Sequence, residues 1–148
     1  MKTDAPFEPT VCSCKLDQQN CRRQPGHLLP GQLEEIAEYL NKTLEEIREL
    51  FWASPGMVLR RQEDHRNVRL RTITPKIKHD KCVFYRQGMC TIHEVAPFGC
   101  RFFDAHMSAA EGQKRAMWGV NQILTQLEEY EAQRDQLDEA TSWRPKSY

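Results

Sequence analysis

The six cysteines of this chain fall into two groups, one near its start and one past its middle. Three lie between positions 12 and 21 and three between positions 82 and 100: Cys12, Cys14, Cys21, Cys82, Cys90 and Cys100. Groups so far apart in sequence meet only if the chain folds back on itself. In a reducing compartment, the usual reason for thiolates to gather is a bound metal. The spacing therefore predicts a metal-stapled cysteine lobe.

The remaining composition narrows the classes of protein to consider. The first ten residues, MKTDAPFEPT, have no apolar run after Lys2, so we expect no secretory signal and a cytoplasmic location. No window approaches the roughly 20 consecutive apolar residues that cross a bilayer, so we expect no membrane segment. Lysine plus arginine and aspartate plus glutamate each number 21, which makes the formal net charge zero. The arginine-rich residues 59–71 are the one candidate nucleic-acid patch, in which Arg69 and Arg71 would line one face of a strand. Because Glu63 and Asp64 interrupt this segment and the overall charge is balanced, we favour a solvated hairpin over a nucleic-acid partner.

Helical spacing begins where the proline- and glycine-rich residues 1–31 end. Two short helices are predicted by apolar residues that recur every three or four positions: Leu33, Ile36, Ala37 and Leu40, then Leu44, Ile47, Leu50 and Phe51. Thr43 and Glu46 predict a capping box at the start of the second helix. The triplet Ser54-Pro55-Gly56 is predicted to stop it.

The rest of the chain predicts short strands followed by one long helix. The segments MVL, VRLRTI and KCVFY, within residues 57–85, favour short strands or extended arms. Ser108 and Glu111 predict a second capping box, and the helix after it runs into the 130s with an apolar stripe of Met117, Val120, Ile123, Leu124, Leu127 and Tyr130. The tail around Trp143 has no evident contact. Because the stripe exceeds what a small lobe needs to bury, we expect it to dock a protein partner or a second copy of the chain.

These patterns together predict a fold that is mainly α with short β or irregular elements, a small α+β fold. We divide it into a cysteine-cluster metal-binding domain over residues 1–107 and a C-terminal helical extension and tail over residues 108–148.

The second cysteine group resembles a known family. Its segments CVF and GMCTIHEVAPFGCRFF, within residues 82–103, resemble the signature of the YkgJ-type cysteine-cluster family of zinc- or iron-chelating proteins. The segment LLPGQLEEIAEYL is also similar, so the likeness spans roughly residues 12–106. Two positions depart from the family pattern: the CxxCxxCC start is reduced to Cys12-Ser13-Cys14 plus Cys21, and Ala96 stands where an arginine usually precedes the proline. The resemblance implies a metal or iron-sulfur centre and no particular reaction.

Six cysteines exceed the four protein ligands of one zinc ion or one iron-sulfur cluster. We expect the main ligands to come from both groups, as Cys14, Cys21, Cys90 and Cys100, with Cys12, Cys82 and His93 in reserve. Arg101 is expected to place a positive charge near the thiolates. An iron-sulfur cluster is favoured over zinc or mononuclear iron by the apolar residues that surround the second group: Phe84, Ile92, Phe98, Phe102 and Phe103.

Three functions remain open on the sequence. The first is an iron-sulfur protein for electron transfer or redox sensing, alone or as an accessory subunit. The second is a zinc- or iron-stapled module that binds a protein partner and has no redox role. The third is a thiol enzyme using Cys12 and Cys14, although no thioredoxin-like spacing is present. No phosphate-binding glycine loop or nucleophile-base pattern occurs, so we expect no catalytic residues and no stand-alone enzyme.

Overall fold

The computed structural model describes residues 5–10, 25–60, 63–140 and 146–147. Its helices are α1 (Gln32–Leu40), α2 (Leu44–Arg48), α3 (Phe98–Arg101), α4 (Ala109–Thr125) and α5 (Leu127–Arg134), with a 3₁₀ turn at His93–Val95. Its strands are β1 (Phe51–Arg60), β2 (Asn67–Pro75), β3 (Ile77–Lys78), β4 (Lys81–Cys82), β5 (Tyr85–Arg86), β6 (Met89–Cys90), β7 (Asp138–Glu139) and β8 (Lys146–Ser147). The small α+β class is confirmed. Trp143 lies outside the described residues.

The main sheet is built on one long antiparallel hairpin. β1 pairs with β2 from Phe51 opposite Pro75 out to Arg60 opposite Asn67. β7 and β8 both pair with β1 in parallel, on its other edge. The predicted segments MVL and VRLRTI lie within β1 and β2, and KCVFY supplies β4 and the start of β5. These strand predictions are confirmed, although the hairpin is longer than the sequence indicated.

The boundary between α2 and β1 contradicts the sequence prediction. α2 ends at Arg48, Phe51 begins a strand, and Ser54-Pro55-Gly56 lies inside that strand. The register of the hairpin shifts between Ser54 and Met57, so Pro55 and Gly56 form a bulge and do not stop a helix. Phe51 is fully buried in the sheet, and ladder hydrogen bonds together with this burial outweigh its helical spacing from Ile47.

The helix starts follow the capping chemistry expected from the sequence. Thr43 and Glu46 form both halves of a capping box, which is confirmed. The pKa of the Glu46 carboxyl lies below its usual range because it accepts hydrogen bonds from the Thr43 backbone N–H and hydroxyl. Ser108 accepts from the Glu111 N–H at 3.1 Å. The reciprocal half predicted for Glu111 is wrong, because its carboxylate instead accepts from Arg115 Nε, one helical turn later, at 3.0 Å.

The predicted long helix is two helices, α4 and α5, which meet at Gln126. Val120, Ile123 and Tyr130 of the predicted stripe are buried in the core of this chain. Leu124 is 51% exposed, so the stripe does not form one continuous face. The surplus apolar surface that led us to expect a docked partner is therefore mostly covered by the chain itself. Among the described residues, no helix is both long enough and apolar enough to cross a membrane.

Tyr130 ties the chain before α1 to the main sheet. Its side chain is fully buried, its hydroxyl donates to the Leu28 carbonyl at 2.7 Å, and it accepts from the Ile73 N–H at 3.0 Å. Burial raises the pKa of the Tyr130 phenol, so the proton needed for donation is retained at physiological pH. The residues on either side of position 107 thus share one core: Leu28, Ile36, Ile47, Phe51, Ile73, Ile92, Phe98, Val120, Ile123 and Tyr130.

Replacing Tyr130 with phenylalanine should lower the free energy of unfolding by about 2 to 4 kcal/mol, because two buried backbone groups lose their partner. Urea denaturation followed by circular dichroism measures this loss. Tyr39→Phe is the matched control, since Tyr39 is 45% exposed and its change should stay within about 0.5 kcal/mol. Equal effects of the two variants would contradict the role given to the Tyr130 hydroxyl.

Candidate metal centre

Cys100 lies in α3, a single helical turn that a buried glutamine holds in place. Gln32 Oε1 accepts from the N–H groups of Phe98 and Leu29, each at 2.9 Å. Gln32 Nε2 lies 3.4 Å from the Ala96 carbonyl. The first residue of α1 therefore satisfies backbone groups from two other segments and sets the position of the turn that presents Cys100.

The chain before α1 runs directly against α3. The Gly26 N–H donates to Cys100 Sγ at 2.9 Å, and the Gly99 N–H donates to the His27 carbonyl at 3.0 Å. A Cβ on Gly26 would lie 2.0 Å from the Gly99 carbonyl carbon, so only glycine permits this approach. Hydrogen bonds donated to a sulfur favour its thiolate form and tune any metal bound to it.

A second segment, residues 5–10, is attached at the other end of α3. The Thr10 N–H donates to the Arg101 carbonyl at 2.8 Å, and the Thr10 hydroxyl lies within 3.3 Å of the Phe103 carbonyl. Arg115 Nη1 donates to the carbonyls of Glu8 and Phe102, at 3.0 and 2.9 Å. These contacts hold residues 5–10 beside the helix turn that contains Cys100.

Phe98 and its aromatic neighbours form the apolar side of this region. Its ring packs against those of Phe102, Phe103 and Trp118, with centroids 5.2 to 5.5 Å apart. Gly119 allows α4 to approach, since a Cβ there would lie 2.7 Å from Phe98 Cε2. Phe84, by contrast, packs on Phe51 in the sheet core. The apolar residues that the sequence predicted around the second cysteine group therefore lie in two places. Phe98, Phe102 and Phe103 pack together beside Cys100, and Phe84 lies in the sheet core.

The other two cysteines of the second group lie in two small hairpins. Cys82 is buried opposite Ile77 in the β3–β4 pair, and Cys90 is half-buried opposite Tyr85 in the β5–β6 pair. The turn predicted at Gln87-Gly88 is confirmed, with both residues at positive φ as a two-residue hairpin requires.

The remaining candidates are placed as follows. His93 is exposed in the 3₁₀ turn, and Arg101 is half-buried with its guanidinium carbon 5.6 Å from the Phe102 ring centroid. Cys12, Cys14 and Cys21 lie outside the described residues. Within the ranges that the structure describes, no three His, Cys, Asp or Glu side chains are grouped as a metal site. The predicted ligand set therefore stays a prediction.

Sequence reasoning missed two residues of this region. His27 is only 4% exposed, and its ring meets that of Phe98 edge-on with the centroids 5.6 Å apart. Gln32 stands in the sequence only as the first residue after the proline- and glycine-rich residues 1–31. Their roles arise from contacts with residues 64 or more positions away, for which a local pattern has no signal.

Comparisons with protein-family models, with curated proteins and with solved structures found no match to this chain.

Proposed function

We propose that this chain is a small metal-binding protein whose centre is assembled at Cys100 with thiolates from residues 11–24, and that the metal is an iron-sulfur cluster used for electron transfer or redox sensing. The observation that carries the proposal is that Thr10 and Gly26, which flank residues 11–24, are both hydrogen-bonded to the helix turn that contains Cys100. The resemblance of residues 82–103 to the YkgJ-type family, and a reducing cytoplasmic location, form part of the same proposal.

Chain length supports this assembly. Thr10 bonds to Arg101, and the Gly26 N–H bonds to Cys100 Sγ. Cys12 follows Thr10 by two residues, which span at most about 7 Å of extended chain, and Cys21 precedes Gly26 by five, which span at most about 18 Å. Because Thr10 and Gly26 are already held at this turn, bringing the thiolates between them to Cys100 should cost less conformational entropy than it would in a free chain.

The environment of Cys100 supports a thiolate ligand. Its sulfur accepts from a backbone N–H whose position is set by the Gly26–Gly99 contact. Phe98, on the same helical turn, and Phe102, directly after it, are both buried, so they exclude water from one side of this turn. Donors to sulfur and a dry surround are the features by which proteins stabilise and tune iron-sulfur clusters.

Anaerobic purification, followed by a visible spectrum and by metal and sulfide analysis, tests the proposal. We expect a brown protein with iron and acid-labile sulfide in near-stoichiometric amounts. A colourless protein containing zinc would replace the redox function with a metal-stapled binding module, in which the metal orders the lobe. A folded protein with neither metal would overturn both.

A further inference from the structure

The outer half of the β1–β2 hairpin exposes three arginines on one face. In β2, Arg69 and Arg71 alternate with buried residues and share the face of Ile73. In β1, Arg60 pairs with Asn67, which lies on that face too. The face is therefore apolar where Ile73 enters the core and cationic where the strands extend away from it.

The spacing of these arginines is regular. Arg69 and Arg71 are two residues apart on one strand, a separation of about 7 Å. Arg60 is the diagonal cross-strand neighbour of Arg69, at about 7 to 8 Å. The three arginines therefore form a row on this face, in the order Arg60, Arg69 and Arg71, with about 7 Å between neighbours.

Among the described residues, Arg60, Arg69 and Arg71 form no ion pair. The nearby Asp64 carboxylate instead lies 3.8 Å from Arg66 Nε and accepts from the Arg66 N–H. Like charges on neighbouring strand positions are unfavourable, so an anionic partner would stabilise the row.

We propose that this arginine face, formed by Arg60, Arg69 and Arg71, binds the phosphate backbone of a nucleic acid. The guanidinium fork matches phosphate geometry, and a row about 7 Å in step meets successive charges of a polyanion. Val58, opposite Arg69, is the apolar neighbour on this face and offers no ring for base stacking, so binding is independent of base sequence.

This inference revises the expectation from composition. The formal charge of zero is an average over the whole chain. The tertiary structure places the positive and the negative charges on different elements. Arginines occupy the hairpin face, and glutamates occupy the first turns of α1 and α5. Binding depends on the local field at the face, and not on the net charge.

Fluorescence anisotropy of the full-length protein with a labelled oligothymidine and a labelled DNA duplex tests the proposal. Binding should weaken with salt, with a slope of log K against log salt of about −2 to −3, as for three phosphate contacts. The two probes distinguish a single-stranded from a double-stranded backbone. The double variant Arg69→Gln/Arg71→Gln should lose about tenfold in affinity at low salt and reduce the slope to about −1.

Lys42→Glu is the matched control, since it changes the net charge by the same amount at an exposed site after α1. It should bind like the unaltered protein. The proposal is overturned if neither probe binds at low salt, or if Lys42→Glu weakens binding as much as the arginine variant does. It is also overturned if polyglutamate binds more tightly than both nucleic acids, or if sedimentation shows that a second copy of the chain covers the face.

Discussion

If Cys100 holds the proposed metal, replacing it with serine should remove that metal and leave the fold intact. Gly26 N–H donates to Cys100 Sγ at 2.9 Å, and a serine oxygen can accept from the same N–H, so we expect the contact between the two segments to be kept. A serine hydroxyl is a poor ligand for iron or zinc compared with a thiolate, so the substitution removes the metal bond alone. We expect at least about a tenfold loss of bound metal per chain, as even the loss of a supporting residue at metal sites costs 10- to 100-fold.

The measurement is iron, zinc and sulfide per chain in anaerobically purified protein, with circular dichroism to confirm folding. Met89→Ser is the control, because Met89 is 71% exposed and adjoins Cys90, and it should keep its full metal content. A folded Cys100→Ser protein with undiminished metal would show that the centre, if present, is built elsewhere. That result would also distinguish an error in ligand assignment from the absence of any metal.

Replacing Gly26 with alanine should destabilise the protein by about 3 kcal/mol or more. The added Cβ would lie 2.0 Å from the Gly99 carbonyl carbon and 2.4 Å from the Cys100 nitrogen. These are backbone atoms, so relief requires separating the segment before α1 from α3. The same separation would break the bond to Cys100 Sγ, so we also expect weaker metal retention.

Gly112→Ala is the matched control for this prediction. Gly112 lies in α4, and a Cβ there meets no atom within 4 Å. Alanine should therefore stabilise the helix by about 0.5 to 1 kcal/mol. Urea denaturation of both variants gives the two changes, with an unchanged m-value as the sign that the unfolding reaction is the same. If Gly26→Ala proved as stable as the unaltered protein, the close contact with α3 would be wrong.

Elements that depend on local chemistry were predictable. The Thr43–Glu46 capping box, the Gln87-Gly88 turn and helix α1 each depend on side chains within a few positions of one another. The boundary at Phe51 was not predictable in this way. Its spacing from Ile47 fits a helix, and only pairing with Pro75, 24 residues later, makes it the start of a strand.

In the candidate site, too, some features were predictable from the sequence and others were not. Its residue types and their two-group spacing are visible in the sequence, and they suggest thiolate chemistry without any structure. The contacts that position the helix turn with Cys100 are not visible in the sequence. They are the Gln32 bonds to two other segments, the approach of Gly26 to Gly99, and the bond between Thr10 and Arg101. Apart from the bond between Leu29 and Gln32, each joins residues that no short window contains.

The cysteine inventory, the Thr43–Glu46 cap, the turn residues and the zero net charge are all visible in the amino-acid sequence. Three features depend on contacts between distant segments: Pro55 and Gly56 form a bulge, Val120 and Tyr130 belong to the chain's own core, and Arg60 joins Arg69 and Arg71 on one face of the hairpin. The physical reason is that caps and turns are satisfied by neighbours along the chain. Burial, strand register and the local electric field depend instead on which distant segments come into contact.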